Sequence, residues 1–191
     1  MARKSKQFSS NKVIHIYTEG ETEEKYFKGL RSTAEFRAAK SLKVMPFCEG
    51  LQGLPLMAHV KRKVKQVKNE EKPDEVYTIF DKDELSNEEV QKCINDYPEF
   101  HIGFSNRSFE LWLALHFQEA KVAKSQKQLE DIVSEGLGKT YKKANDEQLK
   151  VIIEHLEQAH QNAVVFGELG KQSVKMNPYT NLSCVIKEML E

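Results

Sequence analysis

The apolar positions of this 191-residue chain fall into short β-like runs that alternate with stretches of helical spacing. Runs rich in β-branched and aromatic residues predict four strands, at 13–18, 43–47, 76–80 and 101–105. Apolar residues recurring every three to four positions predict helices at 21–31, 56–69, 87–95 and 109–117. Strands that alternate with helices form parallel sheets through right-handed crossovers, so the pattern predicts an α/β core over 12–118.

The pattern changes after residue 120. Helical spacing continues, and no convincing strand interrupts it, at 125–134, 146–165 and 179–190. We therefore expect a helical C-terminal portion, 119–191, that packs on the core or projects from it. Residues 1–11 are basic and predict a flexible leader. The predicted fold class is α/β, with a mostly parallel sheet flanked by helices.

The composition is that of an ordinary globular protein, with 39% hydrophobic and 30% charged residues. No stretch approaches the roughly 20 apolar residues that a membrane helix needs, so we expect no membrane association. The three cysteines lie far apart without a CxxC pair, which favours a reducing cytoplasm over a disulfide framework. The net charge of zero argues against a histone-like polycation, although local basic patches can still bind nucleic acid.

Carboxylates follow two of the predicted strands at once. Glu19 comes after the first strand, and Asp81 and Asp83 come after the strand at 76–80. The carboxyl ends of parallel strands share one edge of a sheet, and residues i and i+2 of an extended segment point the same way. Grouped carboxylates suit Mg²⁺ or Mn²⁺, hard ions that prefer oxygen ligands, so the sequence predicts a metal site for phosphoryl chemistry.

Other readings of these acids remain open. Glu21, Glu23 and Glu24 have the position of acids that complement a helix macrodipole. Thr18 and Glu21 also have the spacing of a capping box. The Asp-Lys-Asp-Glu stretch at 81–84 is equally compatible with a plain loop before the next helix.

Two basic patches are candidate contacts to substrate phosphates. Lys61, Lys65 and Lys68 have i, i+4, i+7 spacing and would share a helix face. Lys142 and Lys143 follow Tyr141, whose ring could stack on a base while the lysines hold phosphates. The alternative for either patch is a solvated, charged surface.

Several longer stretches resemble a known family. Glu19-Gly20 and Asp81-x-Asp83 are similar to the Glu-Gly and Asp-x-Asp motifs of Toprim domains. The sequence around these motifs resembles the RloB family of prokaryotic defence-associated proteins. The matching stretches are YTEGETEEKYFKGL, IFDKDE, SNRSFELWLALHF, KTYKKAN and NPYTNLSCVIKEML.

The resemblance implies a Toprim-like sheet and a metal-dependent nuclease site. Glu19, Asp81 and Asp83 would be the metal ligands, and Glu110, in SFELW, would be a further catalytic acid near the start of a helix. Asn106 would either cap that helix or face the site. The resemblance also implies an ATPase partner of the ABC or SMC type.

We therefore expect a Mg²⁺-dependent endonuclease that cuts RNA, including tRNA, or DNA in anti-phage defence by abortive infection. A non-catalytic adaptor subunit of a defence ATPase and a phosphoesterase for small nucleotides are the alternatives. The helices at 146–165 and 179–190 are candidates for a partner interface or for self-association. An apolar stripe on the first of them is explained either by that interface or by intramolecular packing, and it comprises Leu149, Ile152, Ile153, Leu156 and Ala159.

Overall fold

The structure is a computed structural model that describes residues 12–39 and 42–191. The predicted leader, 1–11, lies outside the described residues. The strands are β1 Lys12–Thr18, β2 Leu42–Cys48, β3 Glu75–Asp81, β4 His101–Asn106 and β5 Tyr179–Thr180. The helices are α1 Glu21–Leu30, α2 Ala34–Ala38, α3 Gly53–Gln66, α4 Asn87–Asp96, α5 Phe109–Leu115, α6 Gln126–Leu137, α7 Asp146–Ile153, α8 Leu156–Ala163 and α9 Leu182–Leu190.

The five strands form one sheet in the order β2-β1-β3-β4-β5. β1 pairs in parallel with β2 and β3, and β3 pairs in parallel with β4. The α/β class with a mostly parallel sheet flanked by helices is therefore confirmed. All four predicted strands are present. β1 and β3 are apolar over most of their length because central strands of a parallel sheet are buried on both faces.

The strand order places a crevice between β1 and β3. The chain moves from β1 to β2 in one direction and then returns across β1 to β3. Right-handed crossovers therefore put α1 on one face of the sheet and both α3 and α4 on the other. Contacts between α3 and α4, and between α1 and α7, agree with this arrangement. In open α/β sheets such a switch point, at the carboxyl ends of the strands, is where ligands bind.

The C-terminal portion packs on the core. α7 contacts α1, α8 contacts α5, and α9 contacts β4. The expectation that this portion has no strand is wrong, because β5 pairs antiparallel with the end of β4. Asn181 ties the same region to the sheet by accepting a hydrogen bond from the Phe104 N–H and donating one to the Ile102 carbonyl.

The single helix expected at 146–165 is two helices. α7 ends at Ile153 and α8 begins at Leu156. The break lets α7 pack on α1 while α8 packs on α5. The residues of the predicted apolar stripe are all buried in the hydrophobic core, so intramolecular packing explains the stripe and an interface does not.

Two predicted caps are also wrong. α1 begins after Gly20, and the Thr18 hydroxyl donates to the Gly20 carbonyl instead of capping the helix. Ser108 is the N-cap residue of α5, whereas Asn106 is the last residue of β4 and donates to the Met176 carbonyl. His116 and Trp112 are fully buried in the core.

Candidate functional site

The carboxylates that follow β1 and β3 meet at the crevice between these strands. The Glu19 Oε2 atom accepts a hydrogen bond from the Asp81 N–H at 3.2 Å, and its Oε1 atom accepts one from Gln52 Nε2 at 2.9 Å. Asp81 Oδ2 in turn accepts from the Phe109 N–H at 2.9 Å, which joins β3 to the start of α5. Glu110, the next residue of α5, is therefore brought to the same edge. These contacts bring Glu19, Asp81 and Glu110 to one edge of the sheet.

Glu23 is a further member that the sequence did not single out. It lies in the first turns of α1, and only 6% of its surface is exposed. A Cβ atom at Gly20 would lie 2.6 Å from Glu23 Oε2, so the carboxylate lies directly against the loop that leaves β1. Its position three, four and seven residues before Tyr26, Phe27 and Leu30 is a signal in the sequence, because these spacings share the buried face of a helix.

Burial and mutual repulsion raise the pKa values of these acids. Desolvation raises the pKa of Glu23 to about 7, and the charges of Glu110 and Glu19 add to the effect. Burial raises the pKa of Asp81 well above its usual range, and Glu23, Glu19 and Glu110 raise it further. Desolvation also raises the pKa of Glu19, although hydrogen bonds from the Asp81 N–H and Gln52 oppose that shift. The carboxylates therefore form an electrostatically coupled group that lacks sufficient positive charge.

Asp83 stands at the exposed side of this group. β3 ends at Asp81, and Asp83 has a φ of 34°, so the two residues do not belong to one extended segment as we expected. Desolvation raises the pKa of Asp83, the Arg107 guanidinium opposes the rise, and the charge of Glu110 adds to it. Asp83 also raises the pKa of Glu19. The two aspartates are thus neighbours in the site, with one buried and the other open to solvent.

The predicted substrate lysines are divided between two places. The Lys61 ammonium lies 2.7 Å from Glu99 Oε1, in the turn before β4, at the edge of the sheet opposite to the acids. Lys65 is exposed near the end of α3, and Lys68 lies beyond that helix. The prediction that Lys61, Lys65 and Lys68 share one helix face is therefore wrong.

Lys142 and Lys143 lie in the connection between α6 and α7. Lys142 is exposed, and the Lys143 ammonium lies 3.2 Å from Glu110 Oε1. Burial lowers the pKa of Lys143, but the charge and hydrogen bond of Glu110 outweigh it, so the pKa is raised. Tyr141 is 8% exposed, and its ring is therefore not free to stack on a base as proposed.

The donor set fits a hard divalent cation, but its present arrangement does not. Mg²⁺ prefers carboxylate oxygens, and the five acids of the site all offer them: Glu19, Glu23, Asp81, Asp83 and Glu110. Within residues 12–39 and 42–191, however, no three His, Cys, Asp or Glu side chains are grouped closely enough to hold a metal ion. The reason is visible in the contacts: Glu19 is held by Gln52 and Asp81, Asp81 by Phe109, and Glu110 by Lys143. The assignment of Glu19, Asp81 and Asp83 as metal ligands therefore stays a prediction.

Comparisons with known proteins give one result. No curated protein and no solved structure matches the chain. Among the described helices, none is both long enough and apolar enough to cross a membrane. The profile of the family described as RloB-like protein matches residues 14–189, which is nearly the whole chain and includes every residue of the carboxylate group. The chain therefore belongs to the RloB-like protein family.

Proposed function

We propose that this protein is a Mg²⁺-dependent endonuclease, with Mn²⁺ as a substitute, that hydrolyses phosphodiester bonds in RNA, including tRNA, or in DNA. The observation that carries the proposal is the group of buried, electrostatically coupled carboxylates at the switch point of a parallel sheet. Burying several carboxylates together is costly unless cations neutralise them. A divalent ion would supply that charge, activate water and stabilise the departing oxygen.

The residues of the site divide the chemistry among them. Glu19 is fixed by two hydrogen bonds, and its raised pKa makes it a better proton acceptor than an ordinary carboxylate. We propose that Glu19 is the general base that accepts a proton from the attacking water. Asp81 and Asp83 bring negative charge from the buried and the exposed side of the site. Glu110 and Glu23 are the further buried carboxylates that complete the charge of the group.

The biological setting that we propose follows from family membership. The resemblance to RloB proteins supports a role in anti-phage defence by abortive infection in the cytoplasm, together with an ATPase of the ABC or SMC type. A nuclease that can damage its own cell requires restraint, which such a partner would provide. The apolar stripe on α7 and α8 is buried, so any partner or second copy must use another surface.

A substrate panel tests the activity. Purified protein would be incubated with labelled tRNA, single-stranded DNA, duplex DNA and free nucleotides, with Mn²⁺ or with EDTA. We expect cleavage of at least one polymer in Mn²⁺ and none in EDTA, because the carboxylates alone cannot neutralise the charge of the departing oxygen. Turnover of nucleotides alone would favour the small-nucleotide phosphoesterase instead.

The second candidate function is a non-catalytic adaptor, and the absence of a ready-made metal group among the described residues favours it. Calorimetry with Asp83→Ala separates the two. We expect the native protein to bind Mn²⁺ and the variant to bind it at least about tenfold more weakly. Loss of a residue that only supports the metal ligands already costs about tenfold in metal affinity, and Asp83 is proposed as a ligand itself. Glu84→Ala, an exposed acid beside it, is the matched control and should bind normally. If the native protein binds no metal, the non-catalytic adaptor function is favoured over the nuclease.

A further inference from the structure

A groove of about 370 Å³ separates α4 from the stretch of chain between α8 and β5. We call it the α4 groove. On its α4 side, Asn87, Gln91 and Asn95 are spaced four residues apart and therefore lie along one face of the helix. The opposite side carries Lys171 and Lys175. A row of amide groups on one wall thus lies opposite ammonium groups on the other.

Positive charge exceeds negative charge in the α4 groove. A third lysine, Lys92, stands on α4 beside the amides, and Glu88 is the one acid among the described residues of the lining. Lys92, Lys171 and Lys175 are all exposed. None of the three forms an ion pair with an acid in the part of the chain that the structure describes. Their charges are therefore available to an anionic ligand.

One end of the α4 groove opens beside the carboxylate group. β3 ends at Asp81 and α4 begins soon afterwards, so the first turn of α4 lies at the carboxyl edge of the sheet. Lys82, the residue after Asp81, joins the two walls there: its ammonium donates to Asn87 Oδ1 and, at 3.4 Å, to the Val174 carbonyl. From this edge the row of amides extends about 12 Å along α4 to Asn95, at 1.5 Å per residue.

This lining suits the backbone of a nucleic acid. Lysine and amide side chains are the groups that bind phosphate and sugar oxygens without reading the bases. The described residues of the lining include no aromatic ring on which a base could stack, so the groove would follow the backbone alone. Its volume is near the lower end of the range for small-molecule pockets, so a single strand can enter it, whereas a duplex would touch only its rims.

We propose that the α4 groove binds the sugar–phosphate backbone of one nucleic-acid strand and brings that strand to the carboxylate group. The inference rests on the proposed function and adds that the substrate is held as a single strand along α4. The three lysines bind phosphates. Asn87 and Asn95 accept hydrogen bonds within the fold through Oδ1, so their Nδ2 groups can donate to the strand. The continuity of the groove with the acids favours a nucleic acid over an acidic peptide, because the same strand then supplies the phosphate that is cut.

Binding measured in EDTA tests the groove without metal or cleavage. Fluorescence anisotropy would compare the native protein with the triple variant Lys92→Gln, Lys171→Gln and Lys175→Gln, on labelled single-stranded RNA, single-stranded DNA and duplex DNA. Each phosphate contact to a single strand contributes about 0.7 to the slope of log affinity against log salt concentration. We therefore expect the slope to fall by about 2 in the variant, and the affinity to fall about 100-fold at about 0.1 M salt.

A second triple variant controls for the loss of charge. Lys43→Gln, Lys72→Gln and Lys150→Gln remove the same charge from exposed positions outside the groove, and this protein should bind as the native protein does. Circular dichroism should show the native fold for both variants, because all six lysines are exposed. An equal loss of affinity in the two variants would show that binding follows net charge and would overturn the proposal.

The ligands themselves supply the remaining outcomes. Preference for RNA or for DNA, lost in the groove variant, would support the groove and name the polymer. Tighter binding of the duplex than of either single strand, or binding of polyglutamate in place of both, would overturn it. If the groove variant binds normally, the inference is wrong and the nuclease proposal stands. If the native protein binds single strands through the groove and cleaves none in Mn²⁺, the nuclease proposal is wrong and the groove remains a nucleic-acid site.

Discussion

Replacing Asp81 by asparagine should reduce metal-dependent cleavage by about 10³-fold, which corresponds to about 4 kcal/mol of transition-state stabilisation. Asparagine keeps the shape of the side chain and an oxygen that can accept the hydrogen bond from the Phe109 N–H. It removes the negative charge at the centre of the coupled group, where a divalent ion would need it. The loss should therefore appear in the rate and in the Mn²⁺ affinity, measured on the polymer that the substrate panel identifies.

The fold of the Asp81→Asn variant should be intact. Burial and the neighbouring carboxylates raise the pKa of Asp81, so the metal-free fold penalises a negative charge at this position and a neutral asparagine removes that penalty. Circular dichroism and the thermal midpoint should match those of the native protein. Asp96→Asn, at an exposed position at the end of α4 and the opposite edge of the sheet, is the control and should cleave normally. Native cleavage by Asp81→Asn would remove the enzymatic interpretation.

The sheet could be predicted from the sequence because parallel strands are marked by their burial. β1 and β3 are apolar over most of their length, and the predicted bounds differ from the observed ones by a single residue at most. The crossover rule then brings the ends of these strands to one edge, so Glu19 and Asp81 could be placed together without coordinates.

β5 and the break between α7 and α8 could not be predicted in this way. β5 has two residues, and it exists because Tyr179 and Thr180 pair with Asn106 and Ser105, more than 70 positions earlier in the chain. The break at 154–155 contains neither glycine nor proline, and its cause is the packing of α7 and α8 on different partners. Both features are set by long-range contacts, which local periodicity does not contain.

Long-range contacts also explain why only part of the candidate site could be predicted. Sequence motifs identify residue types, and the structure determines which carboxylates are buried and what holds them. Lys143 was predicted to bind substrate, whereas in this structure it pairs with Glu110. Glu23 was grouped with Glu21 and Glu24 as a helix-terminus acid, although only Glu23 lies on the buried face with Tyr26 and Phe27.

Replacing Glu23 by glutamine should stabilise the metal-free protein at pH 8 by up to about 4 kcal/mol, the amount that corresponds to a pKa raised from about 4.3 to about 7. Burial, with the charges of Glu110 and Glu19, raises the pKa of Glu23 to about 7. In the unfolded chain this pKa returns to about 4.3, so between these values the folded state binds the proton and the unfolded state does not. The stability of the native protein should therefore fall as the pH rises from about 4 to 7, and the fall should be smaller in Glu23→Gln.

Urea unfolding in EDTA across this pH range measures the effect. Glu21→Gln is the matched control, because Glu21 lies in the same turn of α1 but is exposed, and it should follow the pH profile of the native protein. Saturating Mn²⁺ should stabilise the native protein more at pH 8 than at pH 5, since the ion replaces the missing positive charge where the carboxyls are ionised. A Glu23→Gln variant that is less stable than the native protein at pH 8 would show that the carboxylate already has sufficient compensation within the fold. The group would then have no need of a cation, and the electrostatic argument for a metal site would fail.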